Sequence, residues 1–143
     1  MKIFCDTSIL VELDRHNQST INILQKAVKQ NHELLISTIT VAEIFTGSYL
    51  RKDTSHALLT AKEVLNQFLW HEVNGDVAEY CAKLYAYLLV EKKEKSIEYP
   101  DVIIAATFLS SKSDFLLTLN KKDFIVFPQL RHVVYTPDEF AKR

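Results

Sequence analysis

Lys2-Ile3-Phe4-Cys5-Asp6-Thr7-Ser8-Ile9-Leu10 decides the fold class. Residues 2–5 form a short apolar run that reads as a strand, and it stops abruptly at Asp6. Ile9, Leu10 and Leu13 then recur at helical spacing and predict a helix over 7–14. The same alternation continues along the chain. Ser19 is the expected N-cap of a helix reaching about residue 30, with Ile21, Leu24 and Val28 on its inner face. Leu34-Leu35-Ile36 reads as a second buried strand, and Thr38 or Thr40 as the cap of a third helix that carries Glu43 in its first turn. A fourth helix opens at Asp53 or Thr54 and runs to about Leu69. Residues 70–73 read as a short strand and 76–93 as a long helix. Pro100 breaks the chain, and Asp101 begins an unusually apolar helix to about Leu109. Strands at 115–118 and 132–135 complete the set. Strands alternating with helices predict an α/β fold whose mainly parallel sheet is covered on both faces.

Three acids stand where these apolar patterns break: Asp6, Glu43 and Asp101. A carboxylate among core-forming residues loses its water, at a cost of roughly several kcal/mol unless something pairs with it. Each has an ordinary explanation, because Asp6 can cap a helix and Glu43 and Asp101 can favour a helix N-terminus. No Arg or Lys adjacent in sequence pairs with any of the three, and together they have the composition of a divalent-cation site. In open parallel sheets the site lies beyond the carboxyl ends of the strands, where strand order reverses. Asp6 follows the first strand, Glu43 the second, and Asn120 and Asp123 the 115–118 strand. Asp101 precedes its strand by a whole helix and must reach the same rim from a helix N-terminus. Hard ions such as Mg²⁺ and Mn²⁺ take oxygen ligands from a few carboxylates, with water and phosphate filling the shell.

The bulk composition narrows the function. With 143 residues, 48% hydrophobic and 24% charged, the chain suits one globular domain over 1–143. Only Gly47 and Gly75 are glycine, which excludes Gly-rich phosphate loops. The formal net charge of −1 is too low for nucleic-acid binding by bulk electrostatics, so any such role needs a local patch or bridging metal. Cys5 and Cys81 are far apart, form no CxxC pair and read as buried, reduced thiols. Charges interrupt every apolar run, so a cytoplasmic protein without a membrane segment is expected. None of the five histidines is paired at metal-ligand spacing.

Four motifs in order resemble the PIN-domain ribonuclease family, and within it the VapC-type toxins of toxin–antitoxin pairs. They are Ile3-Phe4-Cys5-Asp6-Thr7-Ser8-Ile9-Leu10, Ser37-Thr38-Ile39-Thr40-Val41-Ala42-Glu43-Ile44, Asp101-Val102-Ile103-Ile104-Ala105-Ala106-Thr107, and Leu117-Thr118-Leu119-Asn120-Lys121-Lys122-Asp123-Phe124. Tyr135-Thr136-Pro137-Asp138-Glu139-Phe140 is similar to the family's usual ending. The resemblance implies a three-layer α/β/α domain with about five strands. It also implies Asp6, Glu43 and Asp101 as catalytic Mg²⁺ or Mn²⁺ ligands, an RNA substrate, a cognate antitoxin and a homodimer. The chain departs from the fuller pattern at Asn120, where many relatives carry a fourth Asp, and Asp123 is the nearest replacement.

Smaller features are weighed against plainer roles. Ser8 and Thr118 have hydroxyls able to orient a carboxylate or touch phosphate, against a purely local backbone bond. Asn120 to Asp123 also reads as a turn closing the strand end. Glu98, across a proline from Asp101, reads as a solvated loop acid, and the Lys92, Lys93, Lys95 run as a solvated face. Lys121 and Lys122 adjoin the site and are candidates for phosphate contact. Besides ribonuclease activity, the residues allow a non-catalytic RNA-binding module, which Asn120 favours. A phosphatase with Asp6 as nucleophile fares poorly, because Ser8 stands where a DxD motif needs its second acid.

Overall fold

Side chains in a strand alternate between its two faces, and the strands here are apolar on both. A computed structural model describes all 143 residues. Its strands are β1 (Lys2–Cys5), β2 (Glu33–Ser37), β3 (Leu69–His71), β4 (Phe115–Leu117) and β5 (Val134–Tyr135). They form one sheet in the order β3-β2-β1-β4-β5, every pair parallel. The helices are α1 (Thr7–Asp14), α2 (Gln18–Lys29), α3 (Thr38–Tyr49), α4 (Thr54–Leu65), α5 (Gly75–Val90), α6 (Tyr99–Ser110), α7 (Lys121–Phe124) and α8 (Pro137–Ala141), with a 3₁₀ turn at Pro128–Leu130. None is long and apolar enough to cross a membrane.

Phe4, Leu35, Leu116 and Val134 project from one face into a core shared with Val77, Cys81, Leu84 and Leu88 of α5 and Ile104, Ala105 and Phe108 of α6. Ile3, Cys5, Leu34, Ile36 and Leu117 project from the other face, against Ile9, Leu10 and Leu13 of α1, Leu24 of α2 and Val64 and Leu65 of α4. The result is the expected three-layer α/β/α domain. α6 is apolar on nearly every side because it is buried on nearly every side: Val102, Ile104, Ala105, Ala106 and Thr107 are all 0% exposed. Cys5 and Cys81 are both free and buried, one in each half of the core. Burial, and then the neighbouring Asp6, push the Cys5 thiol far above its ordinary value.

Several local expectations are corrected. Asn17, not Ser19, caps α2, with its side chain accepting from the Thr20 amide. α3 begins at Thr38 under a Ser37 cap, so Glu43 sits in its second turn and not its first. α4 stops at Leu65 and not near Leu69, since Leu69 is taken into β3. α6 starts at Tyr99, two residues before Asp101, with Pro100 inside its first turn, where the missing N–H costs nothing. Asn120 to Asp123 opens the short helix α7, with the Asp123 amide donating to the Asn120 carbonyl at 3.0 Å. α8, held by a capping box between Thr136 and Glu139, extends the ending beyond what the sequence patterns showed.

Helix ends in this glycine-poor chain carry a cost. Four non-glycine residues, His16, Asn31, Lys92 and Lys112, have φ between 54° and 65°, each two positions after a helix ends. At Lys92 the geometry is a full Schellman motif: Lys92 N–H donates to Leu89 C=O at 3.2 Å and Lys93 N–H to Leu88 C=O at 2.8 Å. A left-handed residue with a Cβ costs roughly 1–2 kcal/mol, which the looser unfolded chain of a glycine variant partly offsets. Lys92→Gly and Lys112→Gly are each expected to raise unfolding free energy by about 0.5–1 kcal/mol in urea titrations.

Candidate active site

β1 lies at the centre of the sheet, and the chain builds outward from it on one side through β2 and β3 and on the other through β4 and β5. Strand order therefore reverses between β1 and β4, and their carboxyl ends define the cleft. Asp6 leaves β1 at that point, and its amide donates to the Leu117 carbonyl at 3.1 Å.

Asp6 is 2% exposed and is held by three donors. Ser8 Oγ–H reaches Oδ1 at 2.5 Å, the Ile9 amide reaches Oδ1 at 3.4 Å, and Thr118 Oγ1–H reaches Oδ2 at 2.6 Å. Each hydroxyl has one proton and gives it to Asp6, so each can accept in turn. Ser8 Oγ takes the Leu119 amide at 3.0 Å and Thr118 Oγ1 the Asn120 amide at 2.9 Å. The start of α1 and the β4–α7 turn are thereby joined through one carboxylate. Ser8 and Thr118 thus do more than the local backbone bonding that is their plainer reading. Hydrogen bonds to a charged group contribute roughly 1.5–3 kcal/mol each, yet burial outweighs them and lifts the Asp6 carboxyl to about 6.

Glu43 is fixed from a different direction. Thr7 Oγ1–H donates to Glu43 Oε1 at 2.7 Å. Its proton being used, Thr7 accepts from Thr40 Oγ1–H at 3.0 Å. Glu43 and Thr40 lie on adjacent turns of α3, so this chain locks α3 to α1. The helix bearing Asp101 is anchored through its far end. Thr107 Oγ1–H goes to its own Ile103 carbonyl at 2.7 Å, leaving Ser37 Oγ–H to donate to Thr107 at 3.1 Å. That buried bond ties α6 to the junction of β2 and α3.

Asp101 is half-buried; its amide donates to the Glu98 carbonyl at 3.0 Å, while its carboxylate has no hydrogen-bond or ion-pair partner among the protein's groups. Burial, then the charges of Asp6, Glu43, Asp123 and Glu98 in that order, raise its carboxyl to about 7. α6 brings Asp101 beside Asn120 and Asp123, beyond the end of β4, near enough for the charges of Asp6 and Glu43 to act on it. The cleft beside it, of about 410 Å³, is lined by Lys95, Ser96, Ile97, Glu98, Asp101, Asn120 and Asp123. Glu98 faces this cleft and is not merely a solvated loop acid, and Lys95 belongs to it as well. Asn120 is exposed, and its side chain makes no capping bond to α7. Lys121 is committed elsewhere, its ammonium on Glu139 at 3.1 Å, and Lys122 is exposed outside the lining, which leaves Lys95 as the cation of this cleft. Sequence reasoning missed Thr7 and Thr40; a hydroxyl one residue after Asp6 and another three before Glu43 were the signals available.

The donor set tests what the rim can hold. It contains carboxylate, amide and hydroxyl oxygens, with no imidazole or thiolate. No Lys or Arg forms an ion pair with Asp6, Glu43, Asp101 or Asp123. No three His, Cys, Asp or Glu side chains close upon a single point tightly enough to cage an ion. The charges of Asp6, Glu43, Asp123 and Glu98 nevertheless act on Asp101. The all-oxygen donor set is of the kind that a hydrated Mg²⁺ or Mn²⁺ ion accepts, since such an ion needs only one or two carboxylates and keeps several waters.

Comparisons with known proteins agree with this architecture. A family model described as PIN domain matches residues 3–129. No curated protein matches the sequence. Among solved structures, VapBC2 from Rickettsia felis bound to a promoter DNA fragment contains a chain 23% identical, with a TM-score of 0.86 over 95% of this chain and 98% of that one. VapBC-1 from nontypeable Haemophilus influenzae gives 22% identity and a TM-score of 0.82 over 96% and 99%. A toxin–antitoxin complex from Klebsiella pneumoniae gives 26% and 0.69 over 94% and 97%.

The raised carboxyls make stability depend on pH. A carboxyl whose folded pKa lies above its unfolded value near 4 binds more protons when folded, so stability falls as pH rises between the two. For Asp6, a shift from 3.8 to about 6 corresponds to about 3 kcal/mol, absent at pH 4 and complete above pH 6. Asp101 adds a smaller penalty than its shift alone suggests, because water screens its exposed side. In EDTA, Asp101→Asn is expected to match wild type in urea titrations at pH 4 and to be the more stable of the two by pH 7.5. A constant difference across that range would show that neither burial nor the neighbouring acids raise the Asp101 carboxyl.

Proposed function

The chain belongs to the PIN domain family, and on that footing we propose that it is a metal-dependent endoribonuclease, the toxin of a toxin–antitoxin pair. The observation that carries the proposal is the uncompensated charge at the strand-order reversal. Asp6 and Asp101 are both raised, Glu43 and Asp123 add to the repulsion at Asp101, and no cationic side chain pairs with any of them. A fold that gathers acids at this cost gains from a bound cation.

Asp6, Glu43 and Asp101 are the residues that would hold Mg²⁺ or Mn²⁺. Such an ion, when bound, lowers the pKa of a coordinated water and balances charge on a phosphodiester undergoing in-line displacement. The protein's own groups set the orientation. The Ser8 and Thr118 hydroxyls leave the Asp6 carboxylate one position, and Thr7 does the same for Glu43 Oε1. Asp101, raised to about 7, sits where a small change in surroundings switches its charge. Lys95, across the cleft, is placed to meet a phosphate. With a net charge of −1, recognition would rest on RNA shape and unpaired bases more than on bulk attraction.

The similarity of fold over nearly the whole chain to members of VapBC complexes supports a cognate antitoxin as partner, and a homodimer follows from the same family reading. A second reading is favoured by Asn120, exposed and neutral in the cleft: an RNA-binding module on this scaffold that cleaves weakly or not at all.

RNA of mixed sequence is expected to be cut in Mn²⁺ and spared in EDTA. Asp6→Asn and Asp101→Asn should lower cleavage by at least about 100-fold, since even outer-shell partners of metal ligands are worth 10–100-fold, with the circular dichroism of wild type retained. Cleavage that persists in EDTA, or full activity of Asp101→Asn in Mn²⁺, would sink the assignment.

Asn120 and Asp123 are tested by metal titration. Asp123→Ala is expected to raise the Mn²⁺ concentration for half-maximal cleavage and Asn120→Asp to lower it. Neither position supports the core, so stability should change by less than about 0.5 kcal/mol. Curves superimposable on wild type would leave Asp6, Glu43 and Asp101 as the protein's whole contribution.

A further inference from the structure

The Thr7–Glu43 hydrogen bond has a second side. Thr7, Val11 and Asp14 fall on one stripe of α1, and Glu43 and Gly47 on one stripe of α3, because residues four apart share a helix face. Together with α4 these stripes enclose a pocket of about 470 Å³, inside the range of roughly 300–1,000 Å³ common for ligand sites. Only three of its thirteen lining residues are hydrophobic, against seven of thirteen in the cleft of about 770 Å³ between α2 and α4. The smaller pocket is therefore built for a polar occupant.

Its lining carries both signs of charge: Arg15 and Arg51 as well as Asp14 and Glu43, together with His16 and His56, while Arg51 pairs with Asp53 and Arg15 lies 4.0 Å from Glu12. A mixture of donors and acceptors is a poor trap for bare phosphate and a good match for the edge of a nucleobase. Imidazole and guanidinium planes also offer stacking faces. Arg51 is pre-oriented, with Nε and Nη2 on the Asp53 carboxylate at 2.9 and 3.3 Å, which leaves its remaining donors free.

Gly47 adds an independent observation. It lies inside the last turn of α3, where glycine is a weak helix former. Its φ is not positive, and a Cβ built on it meets nothing within 4 Å. Neither backbone conformation nor packing requires glycine there. What glycine provides is open space along the pocket wall, one turn from Glu43.

We infer that this pocket receives one unpaired nucleotide of an RNA strand, flanking the phosphate presented to Asp6, Glu43 and Asp101. The inference rests on the nuclease reading of those acids, and Thr7–Glu43 is the shared wall of the two sites.

The test uses the full chain and a short fluorescein-labelled single-stranded RNA of mixed sequence, with binding followed by anisotropy in Ca²⁺, which supplies a bridging cation for the phosphate. Gly47→Leu is expected to weaken binding about tenfold or more, the size of one lost base stack. Gly47→Ala should lie between it and wild type, and Arg51→Gln should weaken binding as well. Neither Gly47 variant should lower the melting temperature, so loss of binding with retained or increased stability separates occlusion from misfolding. Fully paired RNA should be indifferent to the Gly47 substitutions.

Wild-type affinity for the single strand in Gly47→Leu would overturn the inference, as would equal losses for paired and unpaired RNA. A Gly47→Leu protein that binds RNA normally and loses only a protein partner would overturn it too, assigning the pocket to that partner. Binding that needs the pocket without cleavage in Mn²⁺ supports the pocket and removes the nuclease reading. Cleavage in Mn²⁺ with unchanged KM in Gly47→Leu does the reverse.

Discussion

One buried carboxylate organises the centre of this molecule. Asp6 sits where β1 ends, under α1 and beside the end of β4, and its three donors come from both sides of that junction. Removing an acid from water costs several kcal/mol, and here the bonds recover part of that cost without bringing the carboxyl back to its ordinary range. The joint is held in position while remaining electrostatically unsatisfied. The result is a rigid carboxylate with a standing demand for positive charge.

The other acids depend on the same principle applied with different hardware. Glu43 is oriented by a relay of hydroxyls from Thr40 through Thr7. Asp101 is positioned by a helix whose own anchor, the Ser37–Thr107 bond, lies nearly two turns away. Short hydroxyl side chains suit this task because each accepts once its proton is committed, so polar groups in the interior are satisfied in series. Ser and Thr hydroxyls, with backbone amides behind them, hold the Asp6 and Glu43 carboxylates in place.

How much of this was legible in the sequence varies with the range of the cause. The five strands and main helices followed from apolar runs interrupted by polar residues, a local signal. Asp6, Glu43 and Asp101 stood out because acids are costly where a pattern is apolar. Helix starts were less legible: Asn17, Ser19 and Thr20 are all capable near the start of α2, and only the fold chooses Asn17. The hydroxyl partners were harder still, since Thr118 meets Asp6 across 112 positions of chain. Lys121 next to the proposed site looked available to phosphate until α8, a short helix with no long periodic signal, placed Glu139 against it. The pocket around Gly47 depends on three helices and left no trace in any one of them.

The two thiols carry a consequence of a different kind. Cys5 and Cys81 are buried on opposite sides of a five-stranded sheet, so no single loop excursion uncovers both. Each is a native reporter for its own layer, needing no introduced label. Alkylation under exchange conditions would read the two layers separately: matched rates would mean that the halves come apart in one cooperative event, and unmatched rates that one foldon opens while the other holds.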